Sequence, residues 1–213
     1  MPPQLLASEH DKENLRSLED LELNDSMVLV DCCFEYGVGP NDETIKISLM
    51  RSSSEGTVCM EVVIDNSTSS IIGNIDFDIW DDDGSILANG AAVYSAFVDP
   101  DYRAMGLALS SYKLLHNNFS LISDCEQTYD GAAFWKLKLS QESDIAVSVV
   151  ITPEDTLPYK ASNCHGFIIY DGTQTSDEPI IWGKEYFSDP DPSFLNVHQI
   201  ENRKDVRLLA VKK

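Results

Sequence analysis

The sequence predicts an α+β fold: a mostly antiparallel sheet flanked by helices, continued by a β-rich C-terminal segment. Two observations carry this. Apolar residues alternate at period two from residue 26 to 98 and again beyond 143, and two helix-period segments lie between those stretches. The joints are short and rich in turn residues, as in "DDDGS" and "SDPDPS".

In chain order, "SEHDKENLRSLEDLEL" places Leu15, Leu18 and Leu21 at helical spacing, with Ser8 and Asp11 forming a capping-box pattern. Residues 1–25 therefore read as a charged arm or short helix. "MVLVDCCF" is a short apolar strand, and "TIKISLM" sets Ile45, Ile47 and Leu49 on one face. "VCMEVVI" is a fuller strand, and "IDFDIW" alternates Ile75, Phe77 and Ile79 with Asp76, Asp78 and Trp80. "ILANGAAVYSAFV" resumes the meander. From 104 to 119 the period turns helical, with rows Leu107, Ser111, Leu114 and Ala108, Tyr112, Leu115. "LIS" is a short strand and "GAAFWKLKL" a second helix; "IAVSVVI", "GFIIYDG", "PIIWG" and "VRLLAV" are strands. The chain divides into the arm at 1–25, a core at 26–145 and an extension at 146–213. The extension carries Phe167, Ile169, Ile181, Trp182, Tyr186 and Phe187, too many apolar rings for a tail, so it must cover the core or form a homodimer interface.

Composition narrows the functions. With 213 residues, 43% of them hydrophobic, the chain can bury a core. Its 36 acidic residues outnumber 15 basic ones, for a formal net charge of −21. That charge opposes binding to nucleic acid phosphates or to an anionic membrane surface and suits a basic partner. No run approaches the roughly 18 apolar residues of a membrane span. Five cysteines, an odd number without a CxxC pair, suggest a reduced cytoplasmic chain with no disulfide framework or zinc site. "IWDDDG" fails as a calcium loop, because Ile79 and Gly90 fall where terminal ligands belong, and it reads as a hairpin turn. Ser110 and Lys113 form an isolated Ser-x-x-Lys spacing, and the four histidines have no metal spacing. No metal site is expected.

The informative stretch is "VDPDYRAMGLAL", from Val98 to Leu109. An apolar strand ends, a proline follows, and a glycine precedes a helical pattern. Such a corner can cradle an anion, because small residues let the backbone approach and a helix start offers unpaired N–H groups. The stretch resembles motif A of the GNAT-type N-acetyltransferases, in which a strand ending Val-x-Pro-x-Tyr-Arg leads into Arg/Gln-x-x-Gly-x-Gly/Ala and a helix. Arg103, Ala104, Met105, Gly106, Leu107 and Ala108 match that loop in type and spacing. "SDCEQTYDGAAFWKLKL" adds a softer likeness to acetyltransferase-like proteins of bacterial viruses. The resemblance covers residues 40 to 140. It implies a GNAT-like fold and acetyl-CoA as cofactor, its pyrophosphate held by Val98 and Arg103 to Ala108. The acceptor would be an amine on a basic protein or polyamine.

The resemblance supplies the catalytic groups poorly. The family often places a Glu on the central strands and a Tyr on the late helix. Here the matching strand, Ala91 to Phe97, has no carboxylate, and the helix carries Phe134 and Trp135. Asp124 and Glu126 are the nearest carboxylates for a base, with Tyr94 or Tyr129 for an acid. The competing expectation is a catalytically inactive acidic protein on the same fold, active in the host cytoplasm if viral. It would bind and inhibit a host nucleic-acid-handling or defence protein.

Overall fold

A computed structural model describes residues 5–6, 27–65, 67–80, 89–123, 127–151, 167–169 and 206–213. The expected helix within 1–25, the hairpin turn after Trp80, the "PIIWG" strand, Asp124 and Glu126 lie outside these residues. The elements are β1 (Leu5–Leu6), β2 (Val28–Val38), β3 (Glu43–Arg51), β4 (Glu55–Ile64), β5 (Ser67–Trp80), β6 (Gly90–Val98) and α1 (Leu107–Asn118). They continue as β7 (Ser120–Ser123), β8 (Gln127–Thr128), α2 (Tyr129–Leu137), β9 (Ile145–Ile151), β10 (Phe167–Ile169) and β11 (Val206–Lys212). The fold is α+β, and every strand pair with a resolved register is antiparallel except β1 with β8. No described helix is long and apolar enough to cross a membrane.

Two compact units share these elements. The first holds β2 to β6 and α1, with strands in the order β2-β3-β4-β5-β6. Registers Ile47–Met60, Leu49–Val58 and Val58–Ile75 gather Ile45, Ile47, Leu49, Val58, Met60, Ile75 and Phe77 on one face, where all are buried. Helix α1 packs on β2, β3 and β4. Its buried residues are Leu107, Ser111, Tyr112, Leu114, Leu115 and His116, close to the two rows the sequence predicts. Phe77 is fully buried, and its ring lies 5.5 Å from that of Phe119, which caps the C-terminus of α1.

Two element boundaries depart from the sequence reading. Strand β2 runs on to Val38, because the alternation continues past "MVLVDCCF". Asp31, Cys33 and Glu35 are half-buried, whereas Cys32, Phe34 and Tyr36 are exposed. Helix α1 begins at Leu107 rather than 104. Ala104 (φ 61°) and Gly106 (φ 85°) sit in the left-handed region, where a right-handed helix cannot run.

The second unit contains the order β10-β9-β11-β7, with β1 and β8 as a separate two-residue parallel pair. The C-terminal "VRLLAV" segment lies between β9 and β7: Ala210 faces Val147 on one side and Leu121 on the other. Leu208, Leu209 and Ala210 are accordingly buried, and Ser123 Oγ accepts the Leu208 N–H at 2.9 Å. Helix α2 stops at Leu137 and passes into a 3-10 turn, Leu139–Gln141, with Trp135 and Leu139 buried.

Truncating Phe77 leaves a cavity between the β5 face and Phe119. Phe77→Ala is expected to cost about 3–5 kcal/mol in urea unfolding. A loss below about 1 kcal/mol would show that this face collapses without it.

Candidate functional site

The corner after β6 is built from backbone geometry. Asp99 Oδ1 accepts the Asp101 N–H at 3.0 Å, and Pro100 opens a single 3-10 turn, Pro100–Tyr102. The chain then passes through Arg103, which is extended, before the left-handed residues Ala104 and Gly106. Gly106 is the N-cap of α1 and supplies no side-chain cap. The first bond of the helix is Ser110 N–H to Gly106 C=O at 3.0 Å, so the N–H groups of Leu107, Ala108 and Leu109 precede any intrahelical acceptor. A Cβ built on Gly106 would meet nothing within 4 Å, and Arg103, Ala104, Met105 and Gly106 are exposed. The corner is therefore an open, uncapped helix start that can take an acceptor group.

The side chains around it are less favourable to an anion. Arg103 turns back: its Nε donates to Val98 O at 2.9 Å, and its guanidinium carbon lies 5.9 Å from the Phe97 ring centroid. The β2–β3 connection closes on the corner from another strand pair. Gly39 N–H donates to Met105 Sδ at 3.1 Å, and Tyr102 OH donates to Glu43 Oε1 at 3.0 Å. Asn41 Nδ2 donates to the same Glu43 oxygen at 3.1 Å. Ser110 Oγ in the first turn of α1 donates to Glu35 Oε1 at 2.6 Å, and Asn118 Nδ2 near its end donates to Asp31 Oδ2 at 3.3 Å. Burial, then the bond to Glu43, raises the Tyr102 phenol above its ordinary range, so it keeps its proton.

Of the residues the sequence singles out, Val98 and Arg103 to Ala108 come together at this corner. Tyr94 lies on β6 and is exposed, while Tyr129 opens α2. The sequence reading missed Gly39, Glu43 and Glu35. They reach the corner across 66, 59 and 75 residues, and no local pattern marks them. Among the described residues, no group of three or more His, Cys, Asp or Glu gathers at metal-binding distance. No family model, curated protein or solved structure matches this chain.

The two glycines of the corner separate strain from sterics. A Cβ at Gly39 (φ 84°) would fall 2.1 Å from Glu43 Oε2 and 2.6 Å from Tyr102 Cε1, whereas at Gly106 only the left-handed φ resists. Gly106→Ala is expected to cost roughly 1–2 kcal/mol. Gly39→Ala should cost more, because Glu43 must move and release Tyr102. Equal costs in chemical denaturation would show that the Glu43–Tyr102 bond does not hold the turn. The same bond sets a pH response: a phenol raised in the folded state stabilises below its ordinary range and loses that contribution as pH rises through the folded value. In Tyr102→Phe, the part of the alkaline stability loss due to this phenol should disappear.

Proposed function

We propose that the protein is a GNAT-type N-acetyltransferase, with the pyrophosphate of acetyl-CoA on the backbone from Arg103 to Ala108. One observation supports this above others: α1 starts at a left-handed glycine with three leading N–H groups, no side-chain cap and open space beside it. In this reading, an amine of a basic protein or polyamine attacks the thioester carbonyl. The C–N bond forms as the C–S bond breaks, the amine loses a proton, and the departing thiolate takes one up.

A second reading has its own support. Asp99 and Asp101 in the turn, Glu43 bonded to Tyr102 and Glu35 bonded to Ser110 of α1 place carboxylates around the corner, while Arg103 is turned onto Val98 O. Such an acidic face suits a catalytically inactive protein that binds a basic surface of a host nucleic-acid-handling or defence protein.

Calorimetry with acetyl-CoA separates the two. The first reading expects a saturable heat, weakened when Gly106 is replaced by Pro, and thiol release when spermidine or a Lys-rich peptide is added. No heat at millimolar acetyl-CoA would overturn it. The second reading expects a lysate partner whose capture falls steeply between low and high salt.

A further inference from the structure

Strands β3, β4 and β5 have a second face, opposite the one that carries α1. Register places Ser48, Cys59 and Asn74 in one row across the three strands. Thr57 and Asp76 form the next row, and Lys46 faces Glu61. Alternation sends these side chains away from Ile47, Leu49, Val58 and Ile75. A polar sheet face of this kind is usually solvated. Here Thr57 is 1% exposed, Asn74 2%, Ser48 3%, Glu61 4% and Asp76 6%.

Buried polar groups are normally partnered, and an orphan costs roughly 1–3 kcal/mol. Three oxygens of this patch, Ser48 Oγ, Thr57 Oγ1 and Asn74 Oδ1, have no hydrogen-bond partner among the described residues. Asn74 Nδ2 donates to Asp76 Oδ2 at 2.8 Å, which leaves its Oδ1 as a pure acceptor. Glu61 Oε2 lies 3.9 Å from Lys46 Nζ, while Asp76 has no cationic partner among the described residues. The region is negative.

Orphaned oxygens spread over a core would each be an isolated defect. These occupy two adjacent rows beside a buried carboxylate, and all are hard donors. We propose that this face of β3, β4 and β5 binds a hard cation, either a metal ion or a primary ammonium head, held by Asp76 with Asn74 Oδ1, Thr57 Oγ1 and Ser48 Oγ. Neutral oxygens outnumber the carboxylates, so the site favours modest affinity over tight chelation. The residues are separate from the α1 corner, and the inference stands whether or not acetyl-CoA binds there.

The test is the thermal unfolding of the full chain, freed of metals by chelator and held at constant ionic strength with choline chloride. Calcium, magnesium, potassium and methylammonium chlorides are titrated separately. One of them should raise the midpoint saturably by about 3 °C or more. Saturation by a metal chloride or by methylammonium identifies the source of the cation. In Asp76→Asn and Thr57→Val the saturable rise should vanish, and Ser48→Ala, a smaller change, should weaken it at least tenfold in midpoint concentration. The proposal is overturned if no probe exceeds the choline control, or if Asp76→Asn responds like the parent. It is equally overturned if Thr57→Val is more stable than the parent in every salt, as expected for a hydroxyl with nothing to hold.

Discussion

The burial of α1 against β2, β3 and β4 is the constraint on which the rest of its unit depends. The helix must cross the apolar face made by Ile45, Ile47, Leu49, Val58 and Met60, all without exposed surface. That docking fixes where the helix begins, and so fixes the two left-handed residues before it. A strand ending at Val98 cannot pass into a helix seated on its own sheet without a reversal, and Ala104 and Gly106 provide it. The open helix start at the corner is thus a by-product of packing: Leu107 is held in the core, while Ala104 and Gly106 before it stay exposed. Polar bonds then tune the placement. Glu35 and Asp31 grip α1 near its two ends through Ser110 and Asn118. Charge-assisted bonds of this kind are each worth about 1.5–3 kcal/mol where they are shielded from water.

Much of this was readable from the chain. Since an antiparallel meander keeps sequence neighbours adjacent in space, the apolar alternation of "TIKISLM" and "IDFDIW" names Ile45, Ile47, Leu49, Ile75 and Phe77 on the buried face, whereas Ile79 is half-buried. The helix rows at Leu107, Ser111, Leu114 and at Tyr112, Leu115 are buried as the 3.6-residue period requires. Helix α1 starts later than the helical period implies, because Ala104, a good helix former, is held left-handed by the turn. Glu43 and Tyr102 illustrate a different limit. Nothing local in a glutamate at the head of a strand or a tyrosine in a loop indicates that they meet across 59 residues.

Asp76 is the more instructive case. In "IDFDIW" it occupies the position that alternation assigns to solvent, as does Asp78. Asp78 is exposed and Asp76 is buried. Period two tells which side of a sheet a residue leaves, not whether water is there. Pattern reasoning treats a polar side as a wet side, and wherever the second face is covered, that equivalence fails. The same holds for Thr57 and Asn74, whose identities alone would place them outside.

Strand β2 closes the strand order on one side and shows Val30, Phe34 and Tyr36 to solvent, with Phe34 and Tyr36 stacked at 6.3 Å. An open edge with apolar rings is the kind of template on which identical chains add to one another. Two features of this chain resist that. The pairing of β2 with β3 shifts register between Leu29 and Asp31 and again between Glu35 and Val38, so the edge is not a straight ladder. The charge of −21 also keeps copies apart, over a range set by the Debye length, about 8 Å at physiological salt and near 3 Å in molar salt. Colloidal behaviour should therefore follow ionic strength more closely than temperature: the acidity of the chain guards an edge that the described strands leave unpaired.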